Sequence, residues 1–304
     1  MKMVVTGGAG FIGSHLAEAL SQKGEVVIID NLSTGKFENI AQLLNRDNIT
    51  FVEGSIMDLE MLRRQFSDAH FVFHQAAIPN VVKSIEDPIS TNDTNIRGTL
   101  NVLVAAKDCG VSKVVFASSS SVYGDTLELP KKESMQPNPK SPYALTKRVG
   151  EEYCRIFSQV YGLSTVSLRY FNVYGLRQRA DSAYAAVIPQ FVERIKHGSS
   201  PVIYGDGKQT RDFTYVKDVV EANILAAERA ENGVYNIGSG SPISILELAG
   251  RINAIFGRNI LPEFQAPRKG DVRDSLASID SAGSFGYHPK YNLEKGLREM
   301  ITGG

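Results

Sequence analysis

The chain has 304 residues, 42% of them hydrophobic and 22% charged, which is ordinary for a folded globular protein. Lys and Arg total 33, as do Asp and Glu, and this zero net charge argues against bulk attraction to nucleic acid. The two cysteines fit reduced thiols better than a disulfide framework or a metal site, and no apolar run nears the ~20 residues that span a bilayer, so we expect a cytoplasmic protein without nucleic-acid or membrane partners.

The first half of the chain alternates short apolar runs with helical patterns. The predicted strands, in chain order, are Met3–Val5, Val26–Ile29, Ile49–Val52, Phe71–Phe73, Lys113–Ala117 and Thr165–Leu168. Nearly continuous apolar strands that are separated by helices indicate a parallel sheet covered on both faces. We therefore predict an α/β fold in which residues 1–168 form a Rossmann-type, doubly wound parallel sheet.

The pattern changes after Tyr170. Helices are predicted over residues 185–197, 218–228 and 244–256, with a short strand at Val202–Tyr204 and frequent prolines and glycines near residues 262–270. This half predicts a smaller, loop-rich α/β lobe over residues 169–304. We expect a stretch at about 209–237 to return to the main sheet.

A glycine loop, residues 6–13, links the first predicted strand to a helix. Its glycines form a G-x-x-G-x-x-G pattern. Glycines in this position permit a tight turn and let a pyrophosphate approach the free N–H groups of the helix N-terminus. We therefore predict a dinucleotide site that includes Gly7, Gly10, Phe11, Ile12 and Gly13.

Asp30 ends the second predicted strand, 17 residues after Gly13. A carboxylate there accepts hydrogen bonds from both hydroxyls of the adenosine ribose and repels a 2′-phosphate, which favours NAD over NADP. An aspartate in a solvated turn is the alternative for Asp30 alone. Its place after the glycine loop favours the ribose role.

A second motif carries the expected chemistry. Tyr143 and Lys147 are four residues apart, so a helix places them on one face, and Ser118–Ser121 directly follow the fifth predicted strand. We predict that Tyr143 is the general base and acid, that Lys147 lowers its pKa and holds the nicotinamide ribose, and that Ser119 hydrogen-bonds the reacting oxygen. Lowering a tyrosine pKa from about 10 to about 7 takes ~4 kcal/mol. A charge at ~4 Å supplies about that much in a dielectric of ~20.

These motifs resemble the extended short-chain dehydrogenase family of nucleotide-sugar enzymes, and within it the 4-epimerases, from Lys2 to about residue 282. Other matching stretches are Asp30–Leu32, His74–Ala77, Asn95–Thr99, Arg169–Gly175, Arg211–Phe213 and Arg268–Asp271. The resemblance implies further NAD contacts from Asn31, Ser55, Ile56, Ala76, Asn95 and Ser118. One departure is Gly54-Ser55-Ile56, because the family often has Asp at the position of Ser55, where it contacts the adenine.

The resemblance also implies a UDP-sugar substrate. Asn172, Arg211 and Arg268 match positions that bind its diphosphate, which suits guanidinium groups. Val187 lies in a stretch, residues 184–189, that resembles epimerases of N-acetylated hexosamines. Ser275 matches a position where a bulky residue restricts the pocket to plain hexoses. For Arg273, a phosphate contact and a structural ion pair both stay open.

The residues after Ser119 bear on the type of reaction. Dehydratases of the family carry an Asp-Glu pair there and decarboxylases a Glu, whereas this chain has Ser120 and Ser121. We therefore predict 4-epimerisation of a UDP-hexose through a 4-keto intermediate, with UDP-glucose, UDP-galactose and their N-acetylated forms as candidates. The alternatives are a UDP-glucuronate 4-epimerase or another nucleotide-sugar enzyme such as a dehydratase. A redox-silent NAD-binding protein and an ordinary reductase are less favoured.

Two further expectations concern structure. The helices after Pro88 and Pro142 match those that pair into a four-helix dimer interface in relatives, so the resemblance implies a homodimer. His74 ends an apolar strand, and we interpret it as a hydrogen-bonded core histidine rather than a metal ligand.

Overall fold

A computed structural model describes residues 1–179, 186–267 and 273–303. Its strands are β1 (Lys2–Thr6), β2 (Glu25–Asp30), β3 (Ile49–Glu53), β4 (Ala69–His74), β5 (Lys113–Ser119), β6 (Ser164–Tyr170), β7 (Val173–Tyr174), β8 (Val202–Tyr204), β9 (Thr210–Asp212), β10 (Thr214–Tyr215), β11 (Gly233–Ile237), β12 (Pro242–Ser244) and β13 (Glu263–Gln265). Its helices are α1 (Phe11–Leu20), α2 (Leu59–Phe66), α3 (Val81–Glu86), α4 (Pro88–Asn92), α5 (Gly98–Asp108), α6 (Pro142–Tyr161), α7 (Val187–Lys196), α8 (Val216–Arg229), α9 (Ile245–Ile255), α10 (Asp280–Gly283) and α11 (Leu293–Thr302).

The main sheet has seven strands in the order β11-β6-β5-β4-β1-β2-β3, and each neighbouring pair is parallel. The order reverses between β1 and β4, and this switch point opens a crevice at the carboxyl ends of the strands. The predicted doubly wound parallel sheet is confirmed. Its seventh strand, β11, lies inside the stretch that was expected to return to the sheet.

Helices cover the sheet on both faces, which explains why its strands are apolar on both sides. On one face, Leu16 and Ala17 of α1 share an apolar core with Val219 of α8. On the other face, α2, α5 and α6 bury Leu62, Val102 and other apolar side chains against the sheet. The two cores fix the sheet between rigid layers, so side chains at its carboxyl edge are held in place.

Helix α6 begins and ends at residues suited to those positions. The hydroxyl of Ser141 accepts a hydrogen bond from the N–H of Ala144, and Pro142 occupies the first turn. Gly162 ends the helix in the left-handed region, with φ 71°. The start of α6 lies near the crevice, so residues in its first turns can project into the site.

The smaller lobe has an apolar core of its own, formed by Phe191 of α7, Ile203 of β8, Leu248 of α9 and Leu297 of α11. Three two-stranded sheets, β10-β7, β12-β9 and β13-β8, support it. Between β10 and β11 the chain returns to the main sheet through α8. Among the described residues, no helix has both the length and the apolar character that a membrane span requires.

Candidate active site

The glycine loop has the geometry of a dinucleotide cradle. Gly7 has φ +71°, and a Cβ there would lie 2.6 Å from the backbone nitrogen of Ala76. A Cβ on Gly13 would lie 2.2 Å from the carbonyl oxygen of Gly7. Gly10 is the N-cap of α1 and supplies no side-chain cap, so Phe11 and Ile12 open the helix with their N–H groups facing a glycine-lined approach. These residues fit the pyrophosphate of NAD.

Asp30 lies at the end of β2 beside this loop. One of its carboxylate oxygens accepts the N–H of Ala9 at 3.0 Å, and the other accepts the N–H of Leu32 at 2.8 Å. Burial raises the pKa of this carboxyl group, while the two backbone hydrogen bonds lower it. The carboxylate is therefore held rigidly where the ribose of a dinucleotide would lie, and each oxygen retains a lone pair for it.

The other residues expected near the adenosine line the adjacent edge of the sheet. Asn31 accepts hydrogen bonds from the N–H and hydroxyl of Ser33. The hydroxyl of Ser55 accepts the N–H of Met57 at 3.2 Å and so caps its own turn. Ile56 is buried beneath Gly98, where a Cβ would lie 2.5 Å from the Ile56 side chain. Ile56 thus serves packing at least as much as a cofactor contact.

Ser119, Tyr143 and Lys147 come together at the carboxyl end of β5. The Ser119 hydroxyl lies close enough to the Tyr143 hydroxyl to lower the pKa of Tyr143. The Lys147 ammonium lies 5.9 Å from the centre of the Tyr143 ring and donates a hydrogen bond to the carbonyl of Ala117 at 2.7 Å. The predicted trio therefore shares one location, with Tyr143 and Lys147 on one face of α6.

Burial shifts the pKa values of both members of the Tyr–Lys pair. It raises the pKa of Tyr143, although the hydrogen bond with Ser119 lowers it in part. It lowers the pKa of Lys147 to about 8, while Cys154 and Glu151 act in the opposite direction. The protein alone therefore does not supply the low tyrosine pKa that the sequence led us to expect. The positive charge of a bound nicotinamide would favour the phenolate.

His74 is a buried core histidine, as the sequence indicated. Thr99 donates its hydroxyl proton to the carbonyl of Asn95, so it accepts a hydrogen bond from Nε2 of His74, and Nδ1 accepts from Thr6. These contacts assign the neutral Nε2–H tautomer. Burial, reinforced by the charge of Lys147, lowers the pKa of His74 to about 3. Among the described residues, no His, Cys, Asp or Glu cluster could hold a metal.

Asn95 connects two separate segments of the structure through its side-chain hydrogen bonds. It lies in a π-helical turn, Asp93–Arg97, and its amide accepts the N–H of Ile78 and donates to the Ile78 carbonyl and to Thr146. These bonds join the loop after β4, which contains Ala76, to α6. The contacts with NAD expected from Asn95 and Ala76 stay predictions, and the observed contacts of Asn95 are structural.

Ser118 faces away from Ser119. Its hydroxyl donates to Glu151 at 2.6 Å inside the protein, because successive side chains of a strand point to opposite faces. Sequence reasoning did not single out Glu151, although it lies one further helical turn along the face of Tyr143 and Lys147. It also missed Ser84, whose hydroxyl accepts the N–H of Tyr143 at 3.1 Å. No sequence signal marks Ser84, which reaches α6 from a distant helix.

Three candidate substrate residues lie close together in the smaller lobe. Asn172 has φ 32°, and its amide donates to the carbonyl of Asp212 and to the hydroxyl of Ser275. Arg211 donates to the carbonyls of Thr210 and Arg273, so this part of the lobe is tied together by β9. The structure thus brings Asn172, Arg211 and Ser275 into one region.

Three candidates are less well defined. Val187 is the first residue of α7 and is partly buried. Arg268 lies outside the described residues, so its expected phosphate contact stays a prediction. Arg273 is exposed, and its carbonyl accepts the N–H of Thr210 at 3.1 Å. That contact concerns the backbone only and leaves both roles of the Arg273 side chain open.

Comparison with known families agrees with this geometry. The chain matches the NAD dependent epimerase/dehydratase family over residues 3–238. It therefore belongs to this family, and NAD is its cofactor.

Solved structures narrow the class further. A UDP-N-acetylglucosamine 4-epimerase from Methanobrevibacter ruminantium, in complex with UDP-N-acetylmuramic acid, is 44% identical, with TM-score 0.96 and coverage of 99% of this chain and 97% of that one. A UDP-glucose 4-epimerase from Thermotoga maritima, with UDP-glucose, is 40% identical, with TM-score 0.94 and coverage of 99% and 98%. A UDP-glucuronic acid 4-epimerase from Bacillus cereus, with UDP-glucuronic acid and NAD, is 34% identical, with TM-score 0.92 and coverage of 99% and 98%. The protein is thus an enzyme of the UDP-sugar 4-epimerase class, whose members differ in the sugar.

Proposed function

We propose that this protein interconverts UDP-hexoses that differ in configuration at C4, with UDP-glucose, UDP-galactose and their N-acetylated forms as substrates. The observation that carries the proposal is the meeting of Ser119, Tyr143 and Lys147 at the crevice, with hydroxyl side chains at positions 120 and 121. This set can move a proton on and off a sugar hydroxyl, and it lacks a carboxylate next to Ser119.

The proposed reaction uses few groups. Tyr143 takes the proton of the 4-hydroxyl, Ser119 hydrogen-bonds the same oxygen, and the Lys147 charge stabilises the phenolate that forms in the cycle. NAD, which the glycine loop and Lys147 would hold, would accept the hydride of C4 and later donate it. In between, the 4-keto sugar would turn about its bond to the diphosphate, so that its other face would receive the hydride while Tyr143 gives its proton back. Because no net oxidation occurs, turnover needs no added cofactor.

The hydroxyls after Ser119 support epimerisation over elimination. A 4,6-dehydratase needs an additional acid and base to remove water from the sugar. Here Ser120 begins a short 3₁₀ turn, and Ser121 donates both its N–H and its hydroxyl to Ser119. A serine hydroxyl that is already engaged with Ser119 is a poor general acid or base. The same feature disfavours a decarboxylase.

The small side chain of Ser275 supports acceptance of N-acetylated sugars. Its hydroxyl accepts a hydrogen bond from Asn172 at 3.3 Å, so both residues face the same space. We expect Ser275→Tyr to abolish conversion of UDP-N-acetylglucosamine while UDP-glucose conversion persists. Ser275→Ala is the matched control, since it removes the hydroxyl without adding volume. Equal loss of both substrates in Ser275→Tyr would contradict a pocket-size role.

The direct test follows the sugar by proton NMR. Purified protein is incubated without added NAD, separately with UDP-galactose, UDP-N-acetylglucosamine and UDP-glucuronate. Conversion of the first two to equilibrium mixtures supports the proposal. In parallel samples with added NAD, steady NADH accumulation would instead indicate a reductase. Conversion of UDP-glucuronate alone would replace the proposal with the glucuronate epimerase. Failure with all three sugars, with added NAD as well as without it, would reject a UDP-sugar 4-epimerase.

We also propose that two copies of the chain pair through α3, α4 and α6. Apolar side chains of these helices are exposed, including Val82, Ile85, Ile89, Leu145 and Val160. Ile89 is 74% exposed and Leu145 is 51% exposed, and both line a groove of about 300 Å³ beside Pro88 and Pro142. A continuous apolar surface of this kind is usually covered by a partner. A second copy covers this surface with the same helices, as the resemblance implies.

A cytoplasmic location of the protein stays a prediction.

A further inference from the structure

A buried ion pair lies directly behind the candidate catalytic residues. Glu151 follows Lys147 by one helical turn on α6, as Lys147 follows Tyr143. Its two carboxylate oxygens accept bonds from Nε and Nη2 of Arg169, at 2.7 and 2.8 Å. Both side chains are almost completely buried, at 1% and 2% exposure. Such a charged pair is held only by good geometry.

The same carboxylate also holds the strand that carries Ser119. Ser118 of β5 donates its hydroxyl to Glu151 at 2.6 Å, and Ser118 pairs with Arg169 across β5 and β6. The carbonyl of Ala117, the residue before Ser118, accepts a hydrogen bond from the ammonium of Lys147 at 2.7 Å. One carboxylate therefore connects three elements, α6, β5 and β6, at the point where two of them present catalytic side chains.

The other contacts of Arg169 fix the pair further. Its guanidinium carbon lies 4.7 Å from the centre of the Tyr123 ring, and the Tyr123 hydroxyl donates to Asn236 of β11 at 2.7 Å. Stability alone is a weak reason for such an arrangement, since a buried ion pair often stabilises no more than apolar side chains of similar volume. The Glu151–Arg169 ion pair contributes a fixed geometry instead.

We propose that Glu151 is a positioning residue: together with Arg169 and Ser118 it clamps the end of β5 against α6, so that Ser119 and Tyr143 meet at one substrate oxygen. The inference rests on the proposed function for its catalytic meaning. It predicts that loosening the clamp lowers kcat, while the affinity for NAD and the KM for the sugar nucleotide change little.

The sharpest variant is Ser118→Ala, which removes the link from β5 to Glu151 and leaves the ion pair in place. Its matched control is Thr165→Val, because Thr165 of β6 also donates a buried hydrogen bond to α6, at the Cys154 carbonyl, but lies far along the strand from the trio. Each variant loses one buried strand-to-helix bond. We expect kcat to fall about tenfold in Ser118→Ala only, since small misplacements of reacting groups are costly.

A second pair of variants separates positioning from folding. Glu151→Gln leaves Arg169 without its counter-charge, so both the melting temperature and kcat should fall. In Glu151→Gln with Arg169→Met, the uncompensated charge is gone, and we expect the melting temperature to recover while kcat stays low. Recovery of kcat together with the melting temperature would show a merely structural role and would overturn the proposal.

Hydrogen–deuterium exchange gives a readout that needs no turnover. Amides of residues 117–121 should exchange faster in Ser118→Ala than in the wild type, and at the wild-type rate in Thr165→Val. Unchanged exchange in Ser118→Ala overturns the clamp, even if the wild type converts no UDP-sugar and the proposed function fails. A loss confined to NAD affinity would assign Ser118 to the cofactor and would likewise overturn it.

Discussion

The charge of Lys147 should set the alkaline limit of activity. Its ammonium is buried beside Ala117, Phe116 and Tyr143, and its pKa is lowered to about 8 because burial disfavours the charged form. The charged form is present below that pH and is lost as the pH rises through it. Arginine keeps its charge at all accessible pH values, so Lys147→Arg tests the role of the charge directly.

The magnitude follows from the geometry. The ammonium lies 5.9 Å from the Tyr143 ring centre, and a unit charge at about 6 Å in an effective dielectric of ~20 contributes about 2.8 kcal/mol. Loss of this charge would disfavour the phenolate of Tyr143 by about that energy. Wild-type kcat should therefore fall about tenfold per pH unit above about pH 8 as the charge is lost.

The assay is the pH profile of kcat between pH 6 and 10 on the substrate that the NMR test identifies. We expect Lys147→Arg to have a lower kcat at pH 7, because a larger group is forced into a packed site, but to lack the decline above pH 8. Lys113→Arg is the matched control: Lys113 starts β5, the strand whose Ala117 carbonyl Lys147 bonds, and Lys113 is partly buried and bonds the carbonyls of Ala226 and Ala230. A decline that survives unchanged in Lys147→Arg would refute the reasoning.

Three further predictions follow from burial and charge. The pKa of His74 is about 3 in the folded protein and 6.5 for the free side chain. Below about pH 6.5, therefore, His74 takes up a proton only in the unfolded chain. This residue should lower the free energy of unfolding by about 2 kcal/mol between pH 7.5 and 5. Denaturant titration of His74→Gln should lack that increment, and an identical pH slope in both proteins would contradict it. Asp30→Asn removes a charged hydrogen-bond acceptor, so it should weaken NAD binding about 10- to 100-fold, as measured by calorimetry, and reduce the preference for NAD over NADP. An unaltered affinity for NAD would exclude Asp30 from the ribose site. Ile89→Asp should be monomeric by light scattering, whereas Leu127→Asp, at a residue 92% exposed in a loop, should keep the wild-type mass; equal masses would exclude this interface.

The main sheet was predictable because both of its faces are buried. Runs such as Val26–Ile29 and Val114–Phe116 are apolar without alternation, which only a covered parallel strand explains. Strand β11 lacked that signal: Asn236 is fully buried, but its amide is satisfied by backbone carbonyls of residues far away in sequence. Tertiary hydrogen bonds of this kind leave no periodic trace.

Helix geometry limited the prediction between Pro88 and Asp108. The sequence analysis predicted only a helix after Pro88, whereas the structure has α4, a π-helical turn at Asp93–Arg97 and then α5. The turn rotates Asn95 towards Ile78 and Thr146, where its amide bonds are used. Spacing rules assume a constant 3.6-residue turn, so they could not show that Asn95 ties the loop after β4 to α6.

The serine run shows the same limit on a smaller scale. Four consecutive serines mark the end of β5 as chemical, but only the strand period separates their roles: Ser119 faces Tyr143 while Ser118 faces Glu151. The family resemblance placed both serines at the cofactor and substrate. The period-two rule, applied to the register of β5, would have separated them from the sequence alone.

Burial pushes the two titratable members of the trio in opposite directions on the pH scale, and both shifts favour the neutral form. Tyr143 has a raised pKa and Lys147 a lowered one, so the protein alone holds a protonated phenol beside an ammonium that is lost above about pH 8. A positive nicotinamide beside this pair would stabilise the phenolate. We therefore expect the base to become effective only where the hydride acceptor is bound, so that proton abstraction without a partner for the hydride is suppressed.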